Sequence, residues 1–185
     1  TQNDDGSRIA FVSNEDGISV LHVLDTADYR ELRLPALPIG VVGGIEFSPD
    51  GGRLALSINT ATSPTDVYVV DIAGNRLTRW TQSEVGGLDT SKFATPTLVR
   101  FKSFDGRSIP AFYYRPLGLK ADEKVPVLIN IHGGPEGQER PTFRADYQAL
   151  LDSGIAVFAP NIRGSGGFGK TFLQLDNHDR RFDAN

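Results

Sequence analysis

Val125-Pro126-Val127-Leu128-Ile129-Asn130-Ile131-His132-Gly133-Gly134-Pro135 decides how the second half of this chain is read. A nearly unbroken apolar run enters a histidine and two glycines. Apolar residues without alternation predict a strand covered on both faces. Downstream, Phe143, Tyr147, Leu150 and Leu151 fall at helical spacing between residues 143 and 152, and Gly154 suits a helix end. Ile155-Ala156-Val157-Phe158-Ala159 is a second apolar strand signal. Strand, helix and strand in this order predict a βαβ unit with a parallel strand pair. Upstream, Leu98 to Phe104 and Ile109 to Tyr114 flank Asp105-Gly106, the pattern of a hairpin. The polar stretch from Phe172 to Asn185 predicts a loop leading into a helix.

The first half carries an internal repeat. Asp5-Gly6-Ser7-Arg8-Ile9-Ala10-Phe11 returns about 45 residues later as Asp50-Gly51-Gly52-Arg53-Leu54-Ala55-Leu56. Val20-Leu21-His22-Val23-Leu24-Asp25 then corresponds to Val67-Tyr68-Val69-Val70-Asp71, and Leu32-Arg33-Leu34 to Leu77-Thr78-Arg79. Each unit reads as an Asp-Gly turn, a short strand, a polar break (Ser13 to Gly17, or Asn59 to Thr65), and a second strand. Repeated antiparallel units of this length fit β-propeller blades better than a plain β-sandwich, because residue identity recurs along with spacing. Two blades close no ring, so more are expected upstream of Thr1. A turn-rich stretch near residues 86–97 marks a boundary. The expected organisation is propeller blades over residues 1–92 and an α/β unit over 93–185.

Composition excludes several functions. The chain is 39% hydrophobic and 23% charged with a net charge of −4, which argues for a globular fold and against nucleic acid as a partner. Cysteine is absent, so thiol nucleophiles, disulfides and thiolate metal sites are ruled out. His22, His132 and His178 have no metal-ligand spacing, and no metal or other cofactor is expected. No apolar stretch approaches a membrane span, so no membrane partner is expected. A cytoplasmic location is expected, with the periplasm as the alternative.

The chemistry lies in two glycine-rich motifs. His132-Gly133-Gly134-Pro135 has the form of a turn that supplies an oxyanion-hole donor. A tetrahedral intermediate gathers negative charge on one oxygen, and fixed N–H groups must aim at it. Glycines admit a close backbone approach, and Pro135 has no N–H to offer. Gly134 is the first candidate donor and Gly133 the second. His132 reads as a structural residue that holds the turn rather than as a base. Glu136 and Glu139 follow just past the turn and read first as solvated loop carboxylates, with contact between one of them and a substrate amine as the alternative. Trp80 and Tyr68 read as packing residues.

Gly164 to Thr171 satisfies the phosphate-loop pattern Gly-x-x-x-x-Gly-Lys-Thr. Yet Pro160, Asn161, Ile162 and Arg163 separate it from the apolar strand, and no strand ending in aspartate follows. Ser165 lacks the first glycine of the Gly-x-Ser-x-Gly elbow, because Arg163 stands there. It reads as a loop residue, not a nucleophile.

Three stretches resemble one family. They are Phe101-Lys102-Ser103-Phe104-Asp105-Gly106-Arg107-Ser108-Ile109-Pro110, His132-Gly133-Gly134-Pro135-Glu136-Gly137-Gln138, and Asn161-Ile162-Arg163-Gly164-Ser165-Gly166-Gly167-Phe168-Gly169. In this order they resemble the start of the catalytic domain of the prolyl oligopeptidase family of serine peptidases, in its dipeptidyl-aminopeptidase/acylaminoacyl-peptidase branch. The resemblance implies β-propeller blades followed by the amino-terminal part of an α/β-hydrolase domain. It implies an oxyanion N–H at Gly134 and an active-site rim shaped by Arg163 to Gly169, Arg163, Gly164 and Ser165 among them, while the motif itself offers Gly133 and Glu136 as candidate substrate contacts. It also implies that the Ser-His-Asp triad lies outside this chain, together with the remainder of both domains. The substrate class would be short peptides or acyl-peptides, and the exposed sheet edges would allow an oligomer. The alternatives are a non-catalytic propeller binding module and, on the Gly164–Thr171 pattern, a nucleotide-binding protein.

The chain by itself is therefore expected to hydrolyse no peptide. Incubated with a serine-reactive fluorophosphonate, it should remain unlabelled by mass spectrometry. A covalent adduct at any of its serines would contradict this reading.

Overall fold

In the computed structural model, which describes residues 1–120, 122–134 and 136–183, the chain is mostly β-sheet with few helices. Strands β1 (Arg8–Glu15) and β2 (Ile18–Asp25) form an antiparallel hairpin, from Arg8 opposite Asp25 to Glu15 opposite Ile18. Its turn is Asp16-Gly17, with φ of 53° and 89°. Positive φ at both central residues matches the twist of a tight two-residue hairpin, and a glycine at the second makes it cheap.

Strands β3 (Gly40–Phe47), β4 (Arg53–Thr60), β5 (Ser63–Asp71) and β6 (Arg76–Arg79) form an antiparallel meander in that order. The repeat has a structural counterpart. Arg8 opens β1 and Arg53 opens β4, each after a glycine of positive φ, Gly6 at 73° and Gly51 at 65°. Asp25 pairs with Arg8 as Asp71 pairs with Arg53. The expected polar breaks shrink to tight turns. Ser13 to Glu15 and Ser63 to Thr65 lie within strands, because their backbones continue the ladder whatever the side chain. The third element differs between units: β6 is a full strand, whereas near Leu32 only a Leu24–Glu31 bridge forms.

Alternate residues face inward, as strand geometry requires. Ala10, Leu21, Val23, Leu54, Leu56, Ile58, Tyr68, Val70 and Ile72 make one core between hairpin and meander. Each large aliphatic side chain buried there contributes about 1.5–3 kcal/mol. Tyr68 packs as expected, but Trp80 is 66% exposed, because it follows β6 where no second layer covers the sheet among the described residues.

Strands β7 (Thr97–Lys102), β8 (Ser108–Tyr114), β9 (Val127–Ile129) and β10 (Ala156–Pro160) form a sheet of order β7-β8-β10-β9. The predicted β7–β8 hairpin is present. Helix α1 (Ala145–Asp152) links β9 to β10, which pair in parallel. Gly154, at φ 79°, closes the helix by donating to Leu151 O at 3.0 Å. The end of the chain forms a four-residue helix α2 (Lys170–Leu173) and 3-10 turns.

One expectation fails. The apolar run at Val125–Ile131 is not covered: Val127, Leu128 and Ile129 are 47%, 43% and 63% exposed. β9 is a short edge strand with only β10 beside it, so its apolar side chains face outward. Among the described residues, no helix is long and apolar enough to cross a membrane.

A second core holds Ala61, Ala94, Phe112, Tyr114, Tyr147, Leu151 and Val157, with Ile18 packed against it. Ile18 opens β2 and Ala61 lies in the β4–β5 turn, so the two halves share this core. Beyond β6, the buried Asp66 secures the strand end. It accepts from Ser63 Oγ at 2.9 Å, Thr81 Oγ1 at 2.8 Å, Ser83 N at 2.8 Å and Arg79. Burial alone would raise its pKa, but these donors outweigh it and hold the group at about 2. The folded value lies below the ordinary 3.8, so this stabilisation is present above pH 3.8 and disappears as pH falls through about 2. Asp66→Ala should therefore cost about 3 kcal/mol at neutral pH. Urea melts should show the deficit at pH 7 and its steady closure below pH 4. An equal deficit at both pH values would contradict the assignment.

Candidate functional site

The glycine turn lies three residues beyond the end of β9. Gly134 takes φ 109°, a conformation that side chains resist. Gly133 and Gly134 are both exposed, and among the described residues neither backbone N–H is spent in a hydrogen bond. Pro135 lies outside the described residues. Glu136 is exposed beside the turn. A Cβ on Gly134 would stand 3.4 Å from Gly137 N, so the chain folds back closely on the turn.

Around this turn the structure gathers the second motif. The hydroxyl of Ser165, which is fully buried, donates to Ile162 O at 2.6 Å. His132 Nε2 lies 2.8 Å from Ser165 Oγ, and its Nδ1 lies 3.2 Å from Gly133 O. Gly166 N donates to Gly137 O at 3.0 Å, a second tie between the motifs. His132 thus joins two loops, and the buried Ser165 hydroxyl is held between His132 and Ile162 O.

Arg163 is buried and forms a fork with Asp105, donating through Nη1 to Oδ2 at 3.0 Å and Nη2 to Oδ1 at 2.8 Å. It also donates to Ser103 Oγ at 2.9 Å and lies 4.6 Å from the Phe104 ring centre. The Arg163 hydrogen bond, with Arg107 N–H as a further donor, holds the Asp105 carboxyl well below the usual range. Arg163 therefore fastens the glycine loop to the β7–β8 turn.

The phosphate-loop pattern lacks the needed geometry. A real loop of this kind leads into a helix whose N-terminal amides hold phosphate. Here the following helix spans only Lys170–Leu173. The Asp176 carboxylate fills the space beside Gly164, and the Gln138 amide fills that beside Gly167. A buried carboxylate against the loop would repel phosphate.

Sequence patterns alone miss several members of this site. Glu139, expected in solvent, is buried, because its backbone is gripped by Asn161: Glu139 N donates to Oδ1 at 2.7 Å, and Nδ2 donates to Glu139 O at 3.1 Å. Burial raises the pKa of Glu139, opposed by Arg144, by the Tyr147 hydroxyl at 3.4 Å and by His132, while Asp146 adds to the rise. Asp105 was legible only as a turn residue. Asn161 carries a signal, a polar side chain directly after a buried strand.

No family model matches the chain. It is 25% identical over 138 residues to the uncharacterized peptidase YuxL of Bacillus subtilis, covering 75% of this chain and 21% of that protein. To dipeptidyl aminopeptidase BIII of Pseudoxanthomonas mexicana it is 27% identical over 176 residues, covering 88% of this chain and 25% of the other. The solved structure of an acylaminoacyl peptidase from Pyrococcus horikoshii superposes with a TM-score of 0.68 at 28% identity, over 89% of this chain and 25% of that one. These relatives and neighbours are peptidases of the prolyl oligopeptidase family, and the chain is similar to one part of them. It spans about a quarter of their length.

The buried Glu139 offers a test of the site's electrostatics. Its folded pKa is raised above the ordinary 4.5, so its stabilising contribution is present below pH 4.5 and lost as pH rises through the folded value. Glu139→Gln keeps the acceptor for Tyr147 and removes the charge. The variant should melt higher than wild type at pH 7 and equally at pH 4. A lower melting temperature at pH 7 would show that the charge is stabilising.

Proposed function

We propose that the intact protein is a serine peptidase of short peptides or acyl-peptides, and that Gly134 supplies one of its oxyanion donors. The carrying observation is the Gly133-Gly134 turn after a parallel strand, with both amides unspent and its back held by the His132–Ser165 and Gly166–Gly137 bonds. In this reading residues 1–92 are blades of a β-propeller and residues 93–185 open an α/β-hydrolase domain. The recurring β1–β2 and β4–β5 units support the first assignment. The parallel β9–β10 pair with α1 between them supports the second, and the exposed apolar side of β9 suits a sheet that continues beyond it.

The chemistry follows acyl transfer. A serine outside this chain attacks the carbonyl carbon while a histidine takes its proton. The carbonyl oxygen becomes an anion and meets the Gly134 N–H, with a second N–H beside the serine. Gly133 lets the scissile peptide approach without a Cβ in the way. Glu136, exposed at the lip, attracts a free substrate amino group. Arg163, Gly164 and Ser165 shape the rim and meet no reacting atom.

The experiment is a kinetic comparison of the intact protein and its Gly134→Ala variant on aminoacyl and acyl-peptide p-nitroanilides. The wild type should turn over and be inactivated by a fluorophosphonate. Because alanine strains the φ 109° turn and moves the N–H, the variant should lose roughly a hundredfold or more in kcat. No turnover by the intact wild type on either substrate set would end this reading.

A further inference from the structure

Residues 137–140, the segment directly behind the glycine turn, are each tied to a distant part of the chain. Gly137 O accepts from Gly166 N of the glycine loop, and Glu139 is gripped by Asn161 after β10. The other two ties come from the first half of the chain. Gln138 Oε1 accepts from Asn14 Nδ2 at 2.7 Å. Arg140 donates through Nε to Gly17 O at 2.8 Å and through Nη2 to Ser19 Oγ at 3.1 Å. Asn14, Gly17 and Ser19 all belong to the tip of the β1–β2 hairpin.

We propose that Asn14 and Arg140 are positioning residues: through them the hairpin tip sets the orientation of the Gly133-Gly134 turn. The path is short. Gly137 N lies against the Gly134 Cα side, and Gln138 and Arg140 fix the backbone that follows it. The idea rests on the reading of Gly134 as an oxyanion donor, since only then does its orientation bear on catalysis.

Two features separate positioning from simple adhesion between the halves. First, adhesion is already supplied by other contacts. Gln148 joins α1 to Ala61 and Ala94, Asn59 Oδ1 accepts from Phe143 N at 2.6 Å, and Arg100 pairs with Asp16 at 2.6 Å. None of these lands on residues 137–140. Second, Arg140 is half-buried, and its contacts are a carbonyl and a hydroxyl. Among the described residues no carboxylate pairs with it. A partly desolvated cation without a counter-ion is a poor adhesive. Its planar, directional donors do suit the fixing of a backbone. The hairpin tip is itself stiff. Its two-residue turn is capped by Gly17 N donating to Asn14 Oδ1 at 3.0 Å, and Gly17 sits against the Phe112 ring, where a Cβ would stand 2.9 Å from a ring carbon.

The test compares Asn14→Ala, Arg140→Met and Arg140→Lys with Arg100→Ala, which breaks an adhesive pair at the same hairpin tip and removes no bond to residues 137–140. In the intact protein the three strap variants should lose roughly tenfold or more in kcat with KM within about twofold. They should bind a peptide boronate, which forms a tetrahedral anionic adduct, more weakly by the same factor, while binding of the product peptide is unchanged. Arg100→Ala should retain wild-type kcat. In the 185-residue chain, the Gly134 amide resonance should move in the strap variants and stay put in Arg100→Ala. An unmoved Gly134 resonance, or equal losses in Arg100→Ala and Arg140→Met, would overturn the proposal. If the intact wild type turns over no peptide while the resonance still responds, the peptidase reading fails and the mechanical link stands.

Discussion

A buried carboxamide must place both its carbonyl and its NH2, and in this chain two of them do so by gripping backbone. Asn161, wholly buried, holds Glu139 by both its N–H and its carbonyl. Gln148, also buried, accepts from Ala94 N at 2.9 Å and donates to Ala61 O at 2.8 Å and Ala94 O at 3.1 Å. These loops carry backbone groups that no ladder satisfies. Leaving one such group buried and unpaired costs about 1–3 kcal/mol. The two amides remove that cost and fix the loops in the same step.

The site inherits its geometry from this arrangement. The glycine turn itself has little to hold it: two exposed glycines at the end of a three-residue edge strand. Rigidity reaches it from behind, through residues 137–140 and through the His132–Ser165 bond. The Arg163–Asp105 fork then anchors the second loop to the β7–β8 hairpin. A donor for transient charge must be fixed before the charge develops, or the energy of orienting it is lost from catalysis. In the proposed reading of Gly134, glycine in the turn and hydrogen bonds behind it would meet that need together.

Much of the strand plan was legible in the sequence, because period-two alternation and Asp-Gly turns are local signals. The repeat placed Arg8 and Arg53 at equivalent strand starts, and the βαβ order gave the parallel β9–β10 pair. Exposure was less legible. The run at Val125–Ile131 looks buried because composition reports the preference of the side chains, whereas exposure depends on what lies beside the strand. Trp80 misleads for the same reason. Within the site, the glycines and His132 stood out by motif. Asn14 and Arg140 did not, and Asn161 stood in a motif without its contact showing, since their partners lie 22 to 124 residues away and no local pattern encodes such contacts. Glu139 shows the limit most clearly, a carboxylate in a polar loop that a distant asparagine draws into the interior.

The central claim is that the Gly134 N–H is aimed at charge on an acyl oxygen. A crystal structure of the intact protein with a peptide boronate bound tests it most directly. The account predicts a boronate oxygen at roughly 3 Å from Gly134 N, in line with that N–H. An adduct whose oxygens take all their hydrogen bonds from other groups, with Gly134 N–H turned toward water, would contradict it.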